Sequence, residues 1–294
     1  MSIRVGTLLC VFLPFVGFVV AAVHLWGWGF NGLYLGLLCG MYIATGLGVT
    51  LGYHRLFTHR AFETFPAIKV LFSVLGAMSV EGPLVRWVAT HRKHHQHSDE
   101  AQDPHSPHCY GGGFWGVVRG CWFAHCGWMF KPEIEGLDRY VGDLHRDKLT
   151  CRVSGLFALW VVLGLAIPTA IGGLVTGTWV GAALGFLWGG PARIFLVHHA
   201  TFSINSICHL WGEKTFDCND ESRNNLVFGI FGLGEGWHNN HHAFPSSARH
   251  GLTWWQFDIT YIAIRLLSFV GLAWRVQVPS KDTIANKRTF DPSA

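Results

Sequence analysis

The sequence predicts an all-α membrane protein in which four transmembrane helices form two hairpins and support a cytosolic helical cap. Only 14% of the 294 residues are charged and half are apolar, whereas soluble domains carry about 25% charged residues. Four apolar stretches are each long enough to cross a bilayer. The 18 histidines equal Asp and Glu together in number, and many of them gather in clusters. The composition therefore argues against a conventional soluble enzyme.

The four apolar stretches define the predicted transmembrane helices. Each has about 20 residues, enough for a helix to cross a hydrocarbon core of ~30 Å. The first runs directly into the second and lacks a small-residue cleavage site, so we interpret it as a span and not as a signal peptide. The predicted spans are residues 7–28, 30–52, 154–175 and 178–200.

The positions of Lys and Arg orient these helices. The turns at residues 27–31 and 173–178 contain neither, whereas almost all of them lie in residues 53–152 and after residue 200. The positive-inside rule then places both termini and the cap, residues 53–152 and 201–279, on the cytosolic face of one domain. The net charge of +4 is thus a topology signal, and no motif indicates nucleic-acid binding.

Two regions at the end of the chain are predicted separately. Residues 259–274 are apolar but contain Arg265, which fits either a helix on the membrane surface or a buried core helix. Residues 280–294 are predicted to form a loose polar tail.

Eight histidines form three clusters, and all three lie on the cytosolic side of the predicted topology. In the second and third clusters the histidines are spaced i, i+3 and i+4, which places them on one face of a helix. Adjacent histidines lie ~100° apart around the helix axis, so they can point to two neighbouring metal ions. The clusters are His54 and His59; His91, His94 and His95; and His238, His241 and His242.

The first cluster has a different spacing. His54 and His59 are five residues apart, which is ~140° on a regular helix. Both can bind metal only if the metals lie at the helix end or the helix is distorted there. Neutral imidazole is a good ligand for iron, copper, nickel or zinc. Eight imidazoles are too many for one ion and suit two.

At these residues the sequence resembles the integral-membrane fatty acyl desaturases. The similarity is greatest to the Δ9 branch, which includes stearoyl-CoA desaturases and bacterial acyl-lipid desaturases, and it covers roughly residues 34–279. The motifs that carry it are GYHRLFTHR at 52–60, DPH at 103–105, HCGWM at 125–129, NSICHLWG at 205–212 and GEGWHNNHH at 234–242.

The resemblance implies a centre of two iron ions with nine histidine ligands, and an Asn205 that approaches one iron through water. His209 is expected only from this resemblance. Zinc in a preparation would be an artefact, because imidazole sites accept both metals. The ligands implied are His54, His59, His91, His94, His95, His209, His238, His241 and His242.

The resemblance also implies a reaction. An unactivated methylene has no acidic proton and no leaving group, so acid–base or nucleophilic catalysis cannot attack it. Two irons and O2 supply an oxidant strong enough to remove two hydrogens. We expect a cis double bond, at Δ9, in a saturated fatty acyl chain carried on CoA or lipid.

Several positions match the family's bent substrate tunnel. Trp87 and Thr201 line the expected bend, as does Phe202, where many animal members carry Trp. Tyr42 lies 12 residues before His54, about 18 Å along the helix, and aligns with the closed end, so we expect it to limit chain length. Ordinary helix packing is the alternative for all four.

Other side chains near the clusters are predicted to assist. Arg92 and Lys93, on the exposed side of the second cluster, and Arg86 nearby are predicted to bind phosphates of CoA or a lipid headgroup, although a solvated or lipid-facing basic patch explains them equally. Asp103 and Glu235 are predicted to orient ligand histidines. Glu81 stands where many animal members have Gln, and such departures leave the acyl carrier open.

Electrons are expected from a separate donor of the ferredoxin or cytochrome b5 type with its reductase, because the sequence contains no haem, flavin or iron–sulfur motif. One alternative function is a related membrane di-iron hydroxylase or ketolase. Another is a metal-binding transporter, which should carry ionisable residues along a path within its spans.

Overall fold

A computed structural model describes residues 3–24, 29–131 and 134–288, and these are mostly helical. Residues 25–28 of the first predicted span, 132–133 of the predicted cap and 289–294 of the predicted tail lie outside the described residues. The α-helices are α1 (Ile3–His24), α2 (Gly32–Leu47), α3 (Pro66–Ala77), α4 (Leu84–Gln96), α5 (Gly113–His125), α6 (Gly142–Arg146), α7 (Lys148–Gly155), α8 (Phe157–Thr176), α9 (Trp179–Leu187), α10 (Arg193–Ser206), α11 (Leu226–Phe231), α12 (His238–Ala243), α13 (Ile259–Phe269) and α14 (Lys281–Lys287).

Shorter elements connect or extend these helices. β1 (Glu63–Thr64) and β2 (Ala273–Trp274) pair antiparallel. Two π-helical segments continue α2 and α9 without a break. The π-helical segments are Gly48–Thr58 and Trp188–Ala192, and the 3-10 turns are Gly127–Phe130, Leu137–Tyr140 and Ile207–His209.

Four helical stretches are long and apolar enough to cross a membrane, by length and composition. They are Gly6–Val23, Gly32–Thr58, Phe157–Thr176 and Trp179–His209. The predicted all-α fold with four candidate membrane-spanning helices is therefore confirmed. The second and fourth stretches run farther than predicted, because each helix continues past its apolar residues into the cap. His54 consequently lies within the second helical stretch and not after it.

The hairpin of α8 and α9 follows from local residue chemistry. Gly177 ends α8 in the left-handed conformation, with φ +66, which glycine adopts at little cost. The Thr178 hydroxyl then caps α9 by accepting the Gly181 N–H at 2.9 Å. The helices touch at Gly172, where an added Cβ would lie 2.2 Å from the carbonyl oxygen of Gly181. Small residues thus allow the two backbones to approach closely.

A buried arginine ties the fourth stretch to its neighbours. The Arg193 side chain is fully buried, and its guanidinium donates to the carbonyl oxygens of Met78 at 2.7 Å, Gly164 at 3.2 Å and Gly189 at 3.1 Å. Backbone carbonyls are common partners for such a charge within a membrane protein. Arg193 therefore connects α8, the loop after α3 and α10.

The π-helical segment of the second stretch resolves the spacing of the first histidine cluster. The His59 N–H donates to the His54 carbonyl at 3.1 Å, a bond between residues five apart, which is the π-helical pattern. The segment packs tightly on α3: a Cβ at Gly48 would lie 2.1 Å from the backbone nitrogen of Gly76. A local distortion of the helix, one of the two arrangements that the spacing allowed, is therefore present.

The cap is joined to the spans by a buried ionic network. Arg55, on the π-helical segment, pairs with Glu235 and Asp258 at 2.9 Å each and donates to the Ala248 carbonyl at 2.7 Å. Each carboxylate shares the cation's hydrogen bonds, as buried charges require. The sequence segments around residues 55, 235 and 258 are therefore held together beneath the histidines.

Both C-terminal regions contain a helix, α13 in the first and α14 in the second. α13 has Thr260 and Ile264 buried, but it exposes Leu266 and Phe269, so it combines a core face with an apolar outer face. Residues 281–287, predicted to be loose, form α14. The helix forms because the Ser280 hydroxyl accepts the Thr283 N–H at 3.1 Å, an N-terminal cap.

Candidate metal centre

Nine histidines gather into two neighbouring groups. Within each group one ring nitrogen per residue lies within 4.8 Å of the others. The groups adjoin, since the ring centroids of His95 and His242 are 4.6 Å apart. The first group is His54, His59, His91, His95 and His241, and the second is His94, His209, His238 and His242.

These nine are the residues that the sequence singled out, including His209. The π-helical segment carries His54 and ends just before His59, while α4 and α12 each supply three members. Adjacent histidines of α4 and of α12 join different groups, as their angular separation predicts. His209 comes from the 3-10 turn that ends the fourth stretch, so its position depends on tertiary structure.

Four of the nine histidines place Nδ1 against a carboxylate. Such a partner keeps the proton on Nδ1 and leaves the lone pair of Nε2 free. The pairs are His54–Glu235 at 2.5 Å, His94–Asp103 at 2.9 Å, His209–Asp99 at 2.8 Å and His242–Asp220 at 2.6 Å.

Two of these carboxylates, Glu235 and Asp103, were predicted, whereas Asp99 and Asp220 were not. Asp99 lies 110 residues from its imidazole partner, and no sequence spacing connects them. Burial alone would raise the pKa of Asp99 and of Asp220, but the hydrogen bonds from His209 and His242 hold each pKa well below its usual range. Both carboxyls are therefore ionised acceptors.

Four of the nine histidines are neutral and can therefore donate a lone pair to a cation. Burial, reinforced by the neighbouring imidazoles, lowers the pKa of His91, His95, His238 and His241 well below its usual value, so these rings are neutral. The Nε2 atom of His94 is buried without a hydrogen-bond partner among the described residues.

Other Nε2 atoms face one another. His54 and His241 approach at 3.1 Å, and His209 and His238 at 3.0 Å. Lone pairs that converge in a buried site need a positive partner. Neutral imidazoles are ligands for iron, copper, nickel and zinc. The residues therefore fit metal ions, one in each group.

Two histidines that the sequence did not single out lie against the groups. His250 contacts Glu235, with 3.4 Å between Nδ1 and Oε2, and its ring centroid lies 4.4 Å from that of His241. His105 has its ring centroid 4.4 Å from that of His94. Neither has the helical spacing that identified the three clusters.

A cavity of about 260 Å3 leads to both groups. It is bordered by α1, the second and fourth stretches, α4 and α11, and it reaches His54 and His91 of the first group and His238 of the second. Narrow, mostly apolar cavities with a few polar groups are typical of small-molecule sites. The predicted substrate residues that line it are Tyr42, Trp87, Thr201 and Phe202, and Asn205 lines it as well.

Trp87 and Tyr42 are held in place within this cavity. The Trp87 indole donates to Glu81 Oε2 at 3.1 Å and stacks on His91, with ring centroids 5.0 Å apart. The Tyr42 hydroxyl donates to the carbonyl of Phe231 at 2.5 Å. Tyr42 thus bridges the second stretch to α11 at the cavity wall.

The predicted phosphate-binding pair is not on this cavity. Arg92 donates to the carbonyls of Phe57 and Tyr140 at 2.7 Å each and pairs with Asp143 at 2.7 Å. Lys93 donates to a carbonyl of the cap. Arg92 is therefore occupied in holding α4 to the cap. The exposed Arg86 lines the cavity instead.

The fold and the site together define a membrane protein whose buried histidines can hold metal beside an apolar cavity. The family model for fatty acid desaturases matches residues 31–266. The chain therefore belongs to the fatty acid desaturase family, and it is an oxidoreductase.

Similar proteins share most of the chain. A hex-5-enoyl-[acyl-carrier protein] acetylenase of Moorena producens is 43% identical over 94% of this chain and 87% of that protein. A chloroplastic palmitoyl-monogalactosyldiacylglycerol delta-7 desaturase of Arabidopsis thaliana is 38% identical over 90% and 68%. An sn-1 stearoyl-lipid 9-desaturase of Synechocystis is 37% identical over 86% and 74%.

Proposed function

We propose that this protein is an oxygen-dependent desaturase that introduces a cis double bond at Δ9 of a saturated fatty acyl chain. The observation that carries the proposal is the cavity, which reaches His54 and His91 of one histidine group and His238 of the other. A methylene pair held at this end of the cavity would lie beside both groups. Apolar walls suit the rest of the chain.

Two iron ions, with O2 as co-substrate, supply the oxidising power that an unactivated methylene requires. The nine histidines of the two groups would hold them. Asn205 lines the cavity and would approach one iron through water. Overall, two hydrogens of the chain, two external electrons and two protons reduce one O2 to two waters.

The residues of the cavity determine where the bond forms. A shift of the chain by one carbon changes the product, so the acyl chain must be held in one register. Trp87, Thr201 and Phe202 would shape the bend beside the histidines. Tyr42 would close the far end and limit chain length.

The acyl carrier and the electron donor complete the proposal. Relatives are named for chains on acyl-carrier protein, on a galactolipid and on sn-1 of a lipid. We propose CoA or lipid as the carrier, with Arg86 as the cation nearest the cavity. The donor is a separate ferredoxin or cytochrome b5 type protein with its reductase, acting on the cytosolic face, where both termini also lie.

One assay tests this function. Purified, iron-loaded protein receives labelled stearoyl-CoA or a distearoyl glycerolipid, O2, and ferredoxin with its reductase, and mass spectrometry locates any new double bond. We expect a cis-9 product. A hydroxylated chain without a double bond would instead identify a hydroxylase. Metal uptake by cells without any lipid product would identify a transporter. His94→Ala should abolish the product, while the half-exposed His145→Ala should not.

The acetylenase similarity favours a second candidate reaction. An enzyme that is 43% identical over 94% of this chain is named as making a triple bond from an enoyl chain. Supplying an acyl chain that already carries a cis-9 double bond tests this in the same assay. An alkyne product would identify an acetylenase, whereas an unchanged chain leaves the saturated substrate as the proposed one.

A further inference from the structure

Glu81 is a half-buried carboxyl residue that pairs with none of the nine histidines of the described metal groups. It lies in the loop between α3 and α4 and lines the cavity. Its Oε2 atom accepts the Trp87 indole N–H at 3.1 Å, and the Thr201 side chain interacts with the same carboxyl. Its Oε1 atom is buried and has no hydrogen-bond partner in the part of the chain that the structure describes. Only the contents of the cavity remain to pair with it.

Among the residues that the structure describes, no cation forms an ion pair with this carboxyl group. The influences on its pKa are burial and two hydrogen bonds, from Thr201 and Trp87. Arg86 lines the same cavity, but it forms no ion pair with Glu81 within the described ranges. Tyr53 lies close by, since its hydroxyl donates to the Gly82 carbonyl at 3.3 Å, and His198 bonds to the Ser79 carbonyl at 2.8 Å. The described titratable and charged groups that line the cavity with Glu81 are Cys10, Tyr42, His54, Arg86, His91, His105, His198, Glu235 and His238.

An unpaired carboxylate in apolar surroundings is costly, and the group avoids the cost by keeping its proton. Burial raises the pKa of Glu81 to about 7, although hydrogen bonds from Thr201 and Trp87 oppose the rise. A chain that fills the cavity would displace water from Oε1 and disfavour the ionised form further. The neutral acid, by contrast, keeps its bond to Trp87 and carries its proton on Oε1.

We propose that Glu81 is a specificity-determining residue that admits an apolar acyl chain only in its neutral, protonated form. This inference rests on the proposed acyl-binding function of the cavity. Ionisation of Glu81 places an uncompensated charge on the wall of the bend, and the chain leaves. Glu81 thus couples acyl binding to pH without contacting either histidine group, since Trp87 lies between Glu81 and His91.

The direction of the pH effect follows from the acid's neutral fraction. Below pH 7 the acid is mostly neutral, and binding should not depend on pH. Above pH 7 the neutral fraction falls about tenfold per pH unit, and the apparent Kd rises by the same factor, because only the neutral form is competent. The substitution Glu81→Gln keeps the shape and a hydrogen-bonding partner for Trp87 but cannot ionise. Its binding should stay constant.

The test measures binding and not turnover. Tritiated methyl stearate, which has no ionisable group, is titrated against the full-length, iron-loaded protein in detergent micelles between about pH 6 and pH 9. For the wild-type protein we expect an apparent Kd that is flat to pH 7 and then rises about tenfold per unit. Glu81→Gln should be flat throughout. Glu63→Gln, which removes an exposed carboxyl paired with Arg275, should retain the wild-type profile.

The possible outcomes distinguish the role of Glu81 from the acyl-binding function of the cavity. If methyl stearate binds but the wild-type Kd does not change with pH, the role of Glu81 is overturned while the acyl cavity stands. A Glu81→Gln protein that keeps the wild-type pH dependence overturns it as well. If methyl stearate does not bind at any pH, the acyl-binding function itself fails. The wild-type titration decides the matter even if the variant does not fold.

Steady-state kinetics provide a second test of the role of Glu81. In the desaturase assay the pH dependence should appear in KM, because Glu81 acts on acyl binding. The ratio of wild-type to Glu81→Gln kcat should be the same at about pH 6 and pH 9. A ratio that changes with pH while the two KM values remain equal would contradict a role in binding.

Discussion

Trp87 stacks on His91, with ring centroids 5.0 Å apart and ring planes 19° from parallel. The same indole donates its N–H to Glu81, which lines the cavity. One side chain therefore contacts both a candidate metal ligand and the carboxyl group at the proposed bend. Substrate position and histidine position are linked through this ring.

The two contacts of Trp87 can be separated by substitution. Trp87→Phe keeps an aromatic ring against His91 but removes one of the two hydrogen bonds that the Glu81 carboxyl accepts. That bond lowers the pKa of Glu81, and its loss favours the neutral acid, so we expect KM above pH 7 to fall below the wild-type value and metal content to stay unchanged. Trp87→Ala, which removes the ring from His91, should lower metal content. Substrate kinetics together with iron analysis would show this, and a Phe variant that loses metal would contradict it.

The division of the histidines into two groups predicts metal stoichiometry. His238→Ala removes one of the four ligands of the second group, and His241→Ala one of the five of the first. We expect each variant to lose iron preferentially from its own group, so that content falls from about two ions per chain towards one, because a truncated ligand set binds less tightly. Elemental analysis of purified protein measures the change.

His145→Ala is the matched control for this experiment. Its side chain is half exposed, and it belongs to neither group. It should keep the wild-type metal content. Equal metal content in His238→Ala and wild type would contradict the assignment of the second group.

The pairing of His242 with Asp220 predicts an effect without loss of a ligand. Asp220→Asn removes the carboxylate that lies 2.6 Å from His242 Nδ1. Carboxylate partners of this kind raise ligand basicity, and their loss typically costs 10–100-fold in metal affinity. Competition with a chelator would measure the change. Asp217→Asn, three residues earlier and exposed, should leave the affinity as it is in the wild-type protein.

Local geometry explains which parts of this site the sequence predicts. The i, i+3 and i+4 spacing of α4 and α12 determines on its own that three side chains share a face. By contrast, Asp99 reaches His209 across 110 residues, and Arg92 is occupied by an Asp143 that lies 51 residues away. Such partners depend on how the helices pack, which no local pattern encodes. The spacing of His54 and His59 allowed two alternatives, and the structure shows the distorted helix, a π-helical segment packed tightly against α3.

The position of Tyr42 predicts that its side chain limits the length of the acyl chain. Its hydroxyl bonds to the Phe231 carbonyl at the cavity wall, so the ring bridges the second stretch and α11. Tyr42→Ala should open the far end and shift the products towards longer chains. Tyr42→Phe keeps the ring and removes only the hydrogen bond, and it should retain the wild-type preference. Assays with chains of increasing length measure the shift, and an unchanged profile in Tyr42→Ala would reject the role.

The close contact at Gly48 predicts that the π-helical segment tolerates no side chain where it meets α3. An added Cβ would lie 2.1 Å from the backbone nitrogen of Gly76 and 2.3 Å from the carbonyl carbon of Leu75. These are backbone atoms, so relief requires the second stretch and α3 to separate, and overpacking of this kind typically costs about 1–3 kcal/mol. Gly48→Ala should lower the unfolding temperature.

The displacement should extend to metal binding, because the same π-helical segment carries His54. Gly40→Ala is the matched control: it lies on α2 of the same stretch, and its added Cβ meets no described atom within 4 Å. Thermal unfolding in detergent and iron analysis of both variants test the prediction together. If Gly48→Ala unfolds at the temperature of Gly40→Ala with full metal content, the close approach to α3 does not hold His54 in place.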